Sequence, residues 1–390
     1  MDYYNDPTFP SDDVFEFITM FTGERPENVE VAVTAKSSDG REYWKRYNSV
    51  IDPAALRELL SRPGATAHIG ACFNAAAAHA RQPTTCQIGK PLVFDLDLQD
   101  VAQVAVLKTD QIGNDRWVKI VGAQVHVLKA ALHEVYGFEH FLAVYSGRRG
   151  AHLWVLDQRA FELSDEARAA ICTQLSAPRD RKDDRWLDSR QIYLDPSFGD
   201  ETWKAVAEAM EVAVLATRGD GGVGLFDEKA DVDDFVKHLF ELPNDDVKWA
   251  LVVKAWKANA SFALGRKRGP VVASILRDVV KSHVIYSKRL EQMLFSYVWP
   301  TLDVGASSRM GHCTKIPFSL HGASGRVALP VTRTIGADFP PIASVGSLDH
   351  AVLAGAVAIL RKAVKTAKPH PRVPKRGFDD VDMEDMMFSV

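Results

Sequence analysis

Two short stretches carry side chains whose types and spacing could do chemistry. The first is PLVFDLDLQD, residues 91–100. In an extended strand successive side chains point to opposite faces, so Val93, Asp95 and Asp97 share one face while Leu92, Phe94, Leu96 and Leu98 point into a core. The two carboxylates then stand about 7 Å apart along the strand and repel each other. A hard divalent cation, Mg2+ or Mn2+, would remove that repulsion, because oxygen ligands suit such ions and one or two carboxylates plus substrate phosphates commonly complete their shell. The plain alternative is an edge strand with its acidic face in water. The second stretch is YSGRRGAHLWV, residues 145–155. Its glycines permit a tight turn that exposes backbone amides, and Ser146, Arg148 and Arg149 add a hydroxyl and two guanidiniums whose paired donors match phosphate oxygens. His152 opens the alternating set His152, Trp154, Leu156 on the next strand. Here the alternative is a hairpin with its arginines spread in solvent and a satisfied core histidine.

A third stretch, WPTLDVGASSRMGHCTKIPFSLHGASGRVALPV at 299–331, offers Asp303, Lys315 and His321. Taken singly, Asp303 reads as a loop carboxylate and Lys315 as a surface lysine. Together the three stretches supply three carboxylates and a set of cationic donors, the inventory for phosphoryl transfer assisted by two metal ions.

The elements that must position these groups are legible as periodicity. From Asn114 to Gly137, Trp117, Ile120, Val121, Val125, Leu128, Leu132 and Val135 recur at helical spacing, and Gly137 is placed as a C-terminal cap. FLAVYS and AHLWVLD read as adjacent strands joined by the SGRRG turn. Residues 163–298 are mainly helical in pattern and predict a helical subdomain inserted into a sheet domain made of 1–162 and 299–360. Strand signals return in TKIPFSLH and GRVALPV around the turn GASG, and 361–390 predicts a flexible tail. The fold class expected is α/β (α+β), a mixed sheet with inserted helices.

Composition sets limits. A chain of 390 residues with 46% hydrophobic and 25% charged residues can bury a core of one large or two moderate domains. Cys72, Cys86, Cys172 and Cys313 lack the close spacing of a disulfide framework or zinc knuckle, which fits a reducing, intracellular setting. No apolar run approaches 18 residues and the first residues do not resemble a signal peptide, so no membrane role is expected. A net charge of −4 means that nucleic acid would be met by local basic patches rather than by the whole surface. Between Val247 and Leu276 six basic residues and no acidic one interleave with Trp249, Trp256 and Phe262, which suits phosphates and stacked bases but also an amphipathic helix with a solvated loop. RGDGGVGLFDEK lacks the GK[ST] ending of a Walker A loop and is no nucleotide cradle.

The order and separation of FDLDLQD, of GFEH followed by YSGRRGAHLWV, and of LDVGASSRMGHCTKIPFSLHGASGRVALP resemble the catalytic small subunit of archaeal and eukaryotic DNA primase. WKRYNSV and AHIGACF resemble that family's RY.SF and IGA segments, so the likeness spans most of residues 40–335. The resemblance implies a primase catalytic (prim) domain that joins nucleoside triphosphates into short primers on single-stranded DNA. It implies that Asp95, Asp97 and Asp303 are catalytic and hold two Mg2+ or Mn2+ ions. Ser146, Arg148, Arg149, His152, Lys315, His321 and Arg46 are implied to grip the incoming nucleotide. Implied partners are a large primase subunit, which in the family carries an iron–sulfur cluster, and a replicative polymerase. The site of action would be the nucleus in a eukaryote, otherwise the cytoplasm or a viral replication site. Two departures stand out. VAQVAVLKTDQIGNDR lacks the family's zinc-binding cysteines, so no structural zinc is expected, and His68 stands where the family often has an Asp associated with the ribose. Both keep a second reading open, a stand-alone primase-polymerase that uses deoxynucleotides in repair, plasmid or viral replication.

Overall fold

A computed structural model describes residues 3–22, 25–97, 116–148, 150–177, 179–180, 183–187, 192, 194–210, 292–322, 324–332 and 348–367. The elements run α1 (Ser11–Thr19), β1 (Val29–Lys36), β2 (Glu42–Asn48), α2 (Pro53–Leu60), β3 (Thr66–Phe73), β4 (Gln87–Gly89), β5 (Leu92–Asp97), α3 (Arg116–Tyr136), β6 (Phe141–Tyr145) and β7 (Gly150–Val155). Then follow α4 (Gln158–Phe161), α5 (Asp165–Leu175), β8 (Arg179–Asp180), β9 (Asp183–Leu187), α6 (Asp200–Ala209), α7 (Val304–Ser308), β10 (Thr314–Lys315), β11 (Pro330–Val331) and α8 (His350–Thr366). Residues 292–298 are also helical. No described helix is long and apolar enough to cross a membrane.

Two antiparallel sheets organise the chain. The first has the order β10-β3-β1-β2, with β4 also paired to β3. The second has the order β11-β6-β7-β5. The period-2 pattern of the second sheet sends Leu92, Phe94 and Leu96 of β5, with Ala151, Leu153 and Val155 of β7, to one face. There they pack with α3, α5, α6 and the 292–302 segment. Val93, Leu142, Val144 and Trp154 go to the other face, where they join the apolar side of the first sheet, including Val29, Val31, Val33, Ala67 and Ile69, together with α1, α2 and α8. The second sheet is thus buried on both sides, and the gap between the two sheets is where polar side chains of both can meet.

Helix α3 forms where its periodicity predicts, with Ile120, Val121, Val125, Leu128 and Leu132 buried. Gly137 ends it at φ +62°, its amide donating to the His133 carbonyl at 2.8 Å and that of Phe138 to Leu132 at 3.3 Å, a left-handed cap that favours glycine. The C-terminal block carries much less strand than its residues suggest. TKIPFSLH contributes only Thr314–Lys315 and GRVALPV only Pro330–Val331, joined by an isolated bridge between Leu320 and Val327. The expected tail begins too early. Residues 361–366 are the last turns of α8, where Ala363 is buried and Arg361 pairs with Asp13 of α1, so the apolar stripe of α8 outweighs the run of basic residues that suggested fraying. Most of the expected insertion, 211–291, lies outside the described residues, as does 368–390. The described flanks α5 and α6 share the core of α3, and β8 pairs antiparallel with β9, which the helical pattern did not predict.

Candidate active site

Strand β5 is the edge of its sheet, and its register with β7 sets Asp95 opposite His152 and Asp97 opposite Gly150. Asp95 and Asp97 are half-buried, and Asp95 lines the gap toward the first sheet with His68 and Lys315. The third acid is brought to them by backbone pairing. The Asp303 amide donates to the Asp95 carbonyl at 3.0 Å, and the Asp95 amide donates to Ser307 Oγ at 3.0 Å, so the start of α7 is sewn along the free edge of β5. Asp303 is no plain loop carboxylate. It is the N-cap of α7, its Oδ1 accepting from the Ala306 amide at 2.9 Å. Three hard-oxygen groups therefore stand side by side, of the type that suits Mg2+ or Mn2+. In type and backbone placement they fit such ions. Their side chains are not gathered on one point, for among the described residues no three His, Cys, Asp or Glu side chains are close enough to hold a metal.

The turn between β6 and β7 is shaped by two glycines. Gly147 has φ +90°, and a Cβ there would sit 2.9 Å from His321 Cβ and 3.0 Å from the Arg326 carbonyl oxygen. A Cβ on Gly150 would run into the Leu96 carbonyl of β5. Glycine at both positions lets the turn lie against the 321–326 turn on one side and the acidic strand on the other. The contact is fixed by Ser324 Oγ donating to the Gly147 carbonyl at 2.6 Å and by Lys315 Nζ donating to the Ser146 carbonyl at 2.9 Å. Arg148 is exposed at the tip, its carbonyl accepting from Tyr145 Oη at 2.9 Å. Arg149 lies outside the described residues.

A cleft of about 190 Å³ opens between the sheets, lined by His68, Asp95, His152, His312, Cys313 and Lys315 among others. Lys315 is largely buried, not a surface lysine. Loss of hydration pushes its ammonium down to about 8, opposed by the negative charge of Asp95. Burial pushes His152 down to about 3, with Lys315 adding to the shift, and does the same to His68. His321 falls to about 4 for burial and its cationic neighbours Lys315 and Arg148. At neutral pH these imidazoles are uncharged. Nδ1 of His68 and of His152 has no hydrogen-bond partner among the described residues, while His152 Nε2 stands 3.8 Å from Asp95. The cleft is thus a pocket of neutral donors and acceptors around one cation and the acids.

This has a consequence for stability. A histidine near 3 in the fold and 6.5 when unfolded binds protons more readily in the unfolded chain, so its contribution is complete above pH 6.5 and is lost as pH falls from there toward 3. Each such group costs up to about 1.4 kcal/mol per pH unit in that window. Denaturant titrations between pH 7 and 5 should show stability falling with acid, and His68→Gln should flatten the slope by about one proton. An unchanged slope would mean that His68 is not held neutral.

Arg46 takes a different place from the other cations. On β2 it grips the fully buried Glu30 of β1 through both nitrogens, Nε to Oε1 at 2.6 Å and Nη2 to Oε2 at 2.9 Å, which holds the guanidinium charged. Glu30 was not legible as a functional residue. In VEVAVTAK it shares the alternate positions with Ala32 and Thr34, which reads as an ordinary polar face. Ser307 carried a faint signal, a serine four residues after Asp303 in LDVGAS, but its bond to Asp95 required the fold.

Comparison with known proteins now bears on this arrangement. A family model described as DNA primase small subunit matches residues 94–333, well over half the chain, from within β5 to just past β11. The chain belongs to the DNA primase small subunit family. It is 25% identical over 365 residues to the DNA primase small subunit of Saccharomyces cerevisiae, covering 87% of this chain and 83% of that protein. To the Schizosaccharomyces pombe protein of the same name it is 26% identical over 257 residues, 64% of this chain and 54% of that one. To the DNA primase small subunit PriS of Halobacterium salinarum it is 24% identical over 306 residues, 76% and 73% of the two chains. The primase family model thus takes in all three acids, the β6–β7 turn, Lys315 and His321, and it leaves Arg46 and His68 outside its limits.

Proposed function

We propose that this chain is the catalytic subunit of a DNA primase that copies single-stranded DNA into short primers by joining nucleoside triphosphates. The family membership supports the activity. The observation that carries the site is the backbone pairing of Asp303 with Asp95, beside a lysine fastened to the β6–β7 turn. Asp95, Asp97 and Asp303 would hold two divalent cations, which when bound supply a lowered pKa for the attacking 3′-hydroxyl and charge neutralisation for the leaving pyrophosphate. Lys315, Ser146, Arg148, Arg149 and His321 grip the triphosphate, so that its α-phosphorus is presented to the hydroxyl in line. His152, neutral and buried between Asp95 and Lys315, offers a hydrogen bond without adding charge. Arg46 lies on the same sheet face as His68 with its charge already paired by Glu30, so its part is to brace that wall beside the nucleotide rather than to add free positive charge. No side-chain nucleophile is needed. A large primase subunit and a replicative polymerase are the partners this reading calls for, in the nucleus if the source is eukaryotic.

The test is direct. The purified chain, given a single-stranded template, labelled nucleotides and Mg2+ or Mn2+, should produce oligomers of discrete length. Absence of any template-dependent product with either ion, with or without a supplied primer, would overturn the reading. Ribonucleotides and deoxyribonucleotides run in parallel decide the sugar. The neutral His68 lining the cleft favours keeping the second reading, a primase-polymerase that accepts deoxynucleotides, within the same experiment.

A further inference from the structure

One wall of the cleft extends past Lys315, the member of the phosphate grip that it carries. His68 and Lys315 of the first sheet line the cleft together with Asp95, and their face of the sheet continues outward to β2. Lys315 of β10 stands opposite His68 of β3, His68 opposite Ala32 of β1, and Thr34 of β1 opposite Trp44 of the outermost strand β2. Trp44 is 47% exposed, one of three large hydrophobic side chains exposed to that degree or more among the described residues. It does not hang free. Its ring packs edge-on against His68, with centroids 5.0 Å apart and planes at 67°, across the small side chain of Ala32. The contact holds the indole beside His68, a lining residue of the cleft, and leaves nearly half of it open to solvent.

We propose that Trp44 is a stacking platform for the nucleobase of the incoming nucleotide, with His68 as the residue that sets its angle. The proposal rests on the phosphate grip assigned above. A ligand whose phosphate tail lies on Lys315 and crosses the wall past His68 brings its ring system over Trp44, three strands and roughly 14 Å from Lys315 at the backbone. Such a platform accepts every base alike, since each presents a π face, and leaves base choice to pairing with the template. It also binds ground state and transition state equally, so it acts on KM and not on kcat.

The experiment is steady-state elongation on a primed template with Trp44→Ala, Trp44→Leu and Trp44→Phe, alongside template affinity measured by anisotropy of a labelled oligonucleotide without nucleotide. Leucine keeps an apolar cover over Ala32 and His68, which separates lost stacking from lost packing. Both the Ala and Leu variants should raise the nucleotide KM about 10- to 100-fold for all four bases, with kcat and template affinity unchanged and Phe restoring most of the loss. An analogue with ribose and triphosphate but no base should inhibit wild type and variants equally. Unchanged KM in an active enzyme overturns the platform while leaving the primase reading intact, and a fall in template affinity with KM unchanged assigns Trp44 to the template and overturns it equally. An inactive wild type that still binds nucleotide more tightly than Trp44→Leu sinks the primase reading and spares the platform.

Discussion

Asp95→Asn should remove primer synthesis by about a thousand-fold or more while leaving the fold as stable as before. The side chain can be exchanged cheaply because what holds this position is backbone: its amide on Ser307 Oγ, its carbonyl under the Asp303 amide and its register with His152. Neutralising one of three neighbouring acids also relieves repulsion, so the melting midpoint should hold or rise. The chemistry has no such alternative. A neutral amide is a weak ligand for a hard cation, and it withdraws the negative charge that opposes the depression of Lys315. Two readouts separate the effects. Nucleotide binding by the variant should weaken at a lower pH than in wild type, because Lys315 then loses its proton more readily, whereas the rate should be lost at every pH. Wild-type rates in Asp95→Asn would remove this carboxylate from the catalytic set.

The second large effect is structural. Arg168 of α5 is completely buried and donates to five carbonyls: Leu163 at 2.9 Å, Pro91 at 3.4 Å, Ala160 and Phe161 at 3.2 Å each, and Lys90. Lys90 and Pro91 lead directly into β5, so one guanidinium ties the start of the acidic strand to α4 and α5. Burial pushes Arg168 down to about 10 and the nearby Lys90 ammonium down to about 8, two cations that tolerate each other because carbonyl oxygens surround them. Arg168→Met keeps the volume and removes every donor. It should destabilise the protein by about 3–5 kcal/mol, since several buried carbonyls lose their partners at about 1–3 kcal/mol each, partly recovered by relaxation. Denaturant unfolding checks this, and a loss below about 1 kcal/mol would show that water or neighbouring amides take over the carbonyls.

What could be read from residues alone divides along physical lines. The alternation in FDLD, the glycine-flanked turn at 147–150 and the helical stripe ending at Gly137 are local patterns, and each appears where periodicity or backbone sterics require it. The direction in which the acids point is not local. β5 is an edge strand, as the plainer reading had it, but Asp95 on its acidic face lines the gap toward a second sheet. Lys315 read as a surface lysine for the same reason, since a two-residue strand leaves almost no periodic signal. Arg168, Glu30 and Ser307 act through partners 77, 16 and 212 positions away in the chain, and no window of sequence contains both members of the two long-range pairs. The tail was misplaced because charge composition says little when an apolar stripe runs through it, as Leu353, Ala356, Leu360 and Ala363 do through α8.

The stitch between Asp95 and Asp303 joins positions on either side of a long detour in the chain, and both approaches to that detour, Ala209 of α6 and Met293 with Leu294, are anchored in one core. The acids are thereby insulated from whatever length or sequence the detour acquires. Closing a loop twice as long costs only about 0.6 kcal/mol more, so that region is free to be enlarged, trimmed or exchanged during evolution without moving a carboxylate. It also orders events at the ribosome. A nascent chain carries two of these three acids early and cannot bring the third beside them until the far side of the detour has emerged and Asp303 pairs with the waiting strand.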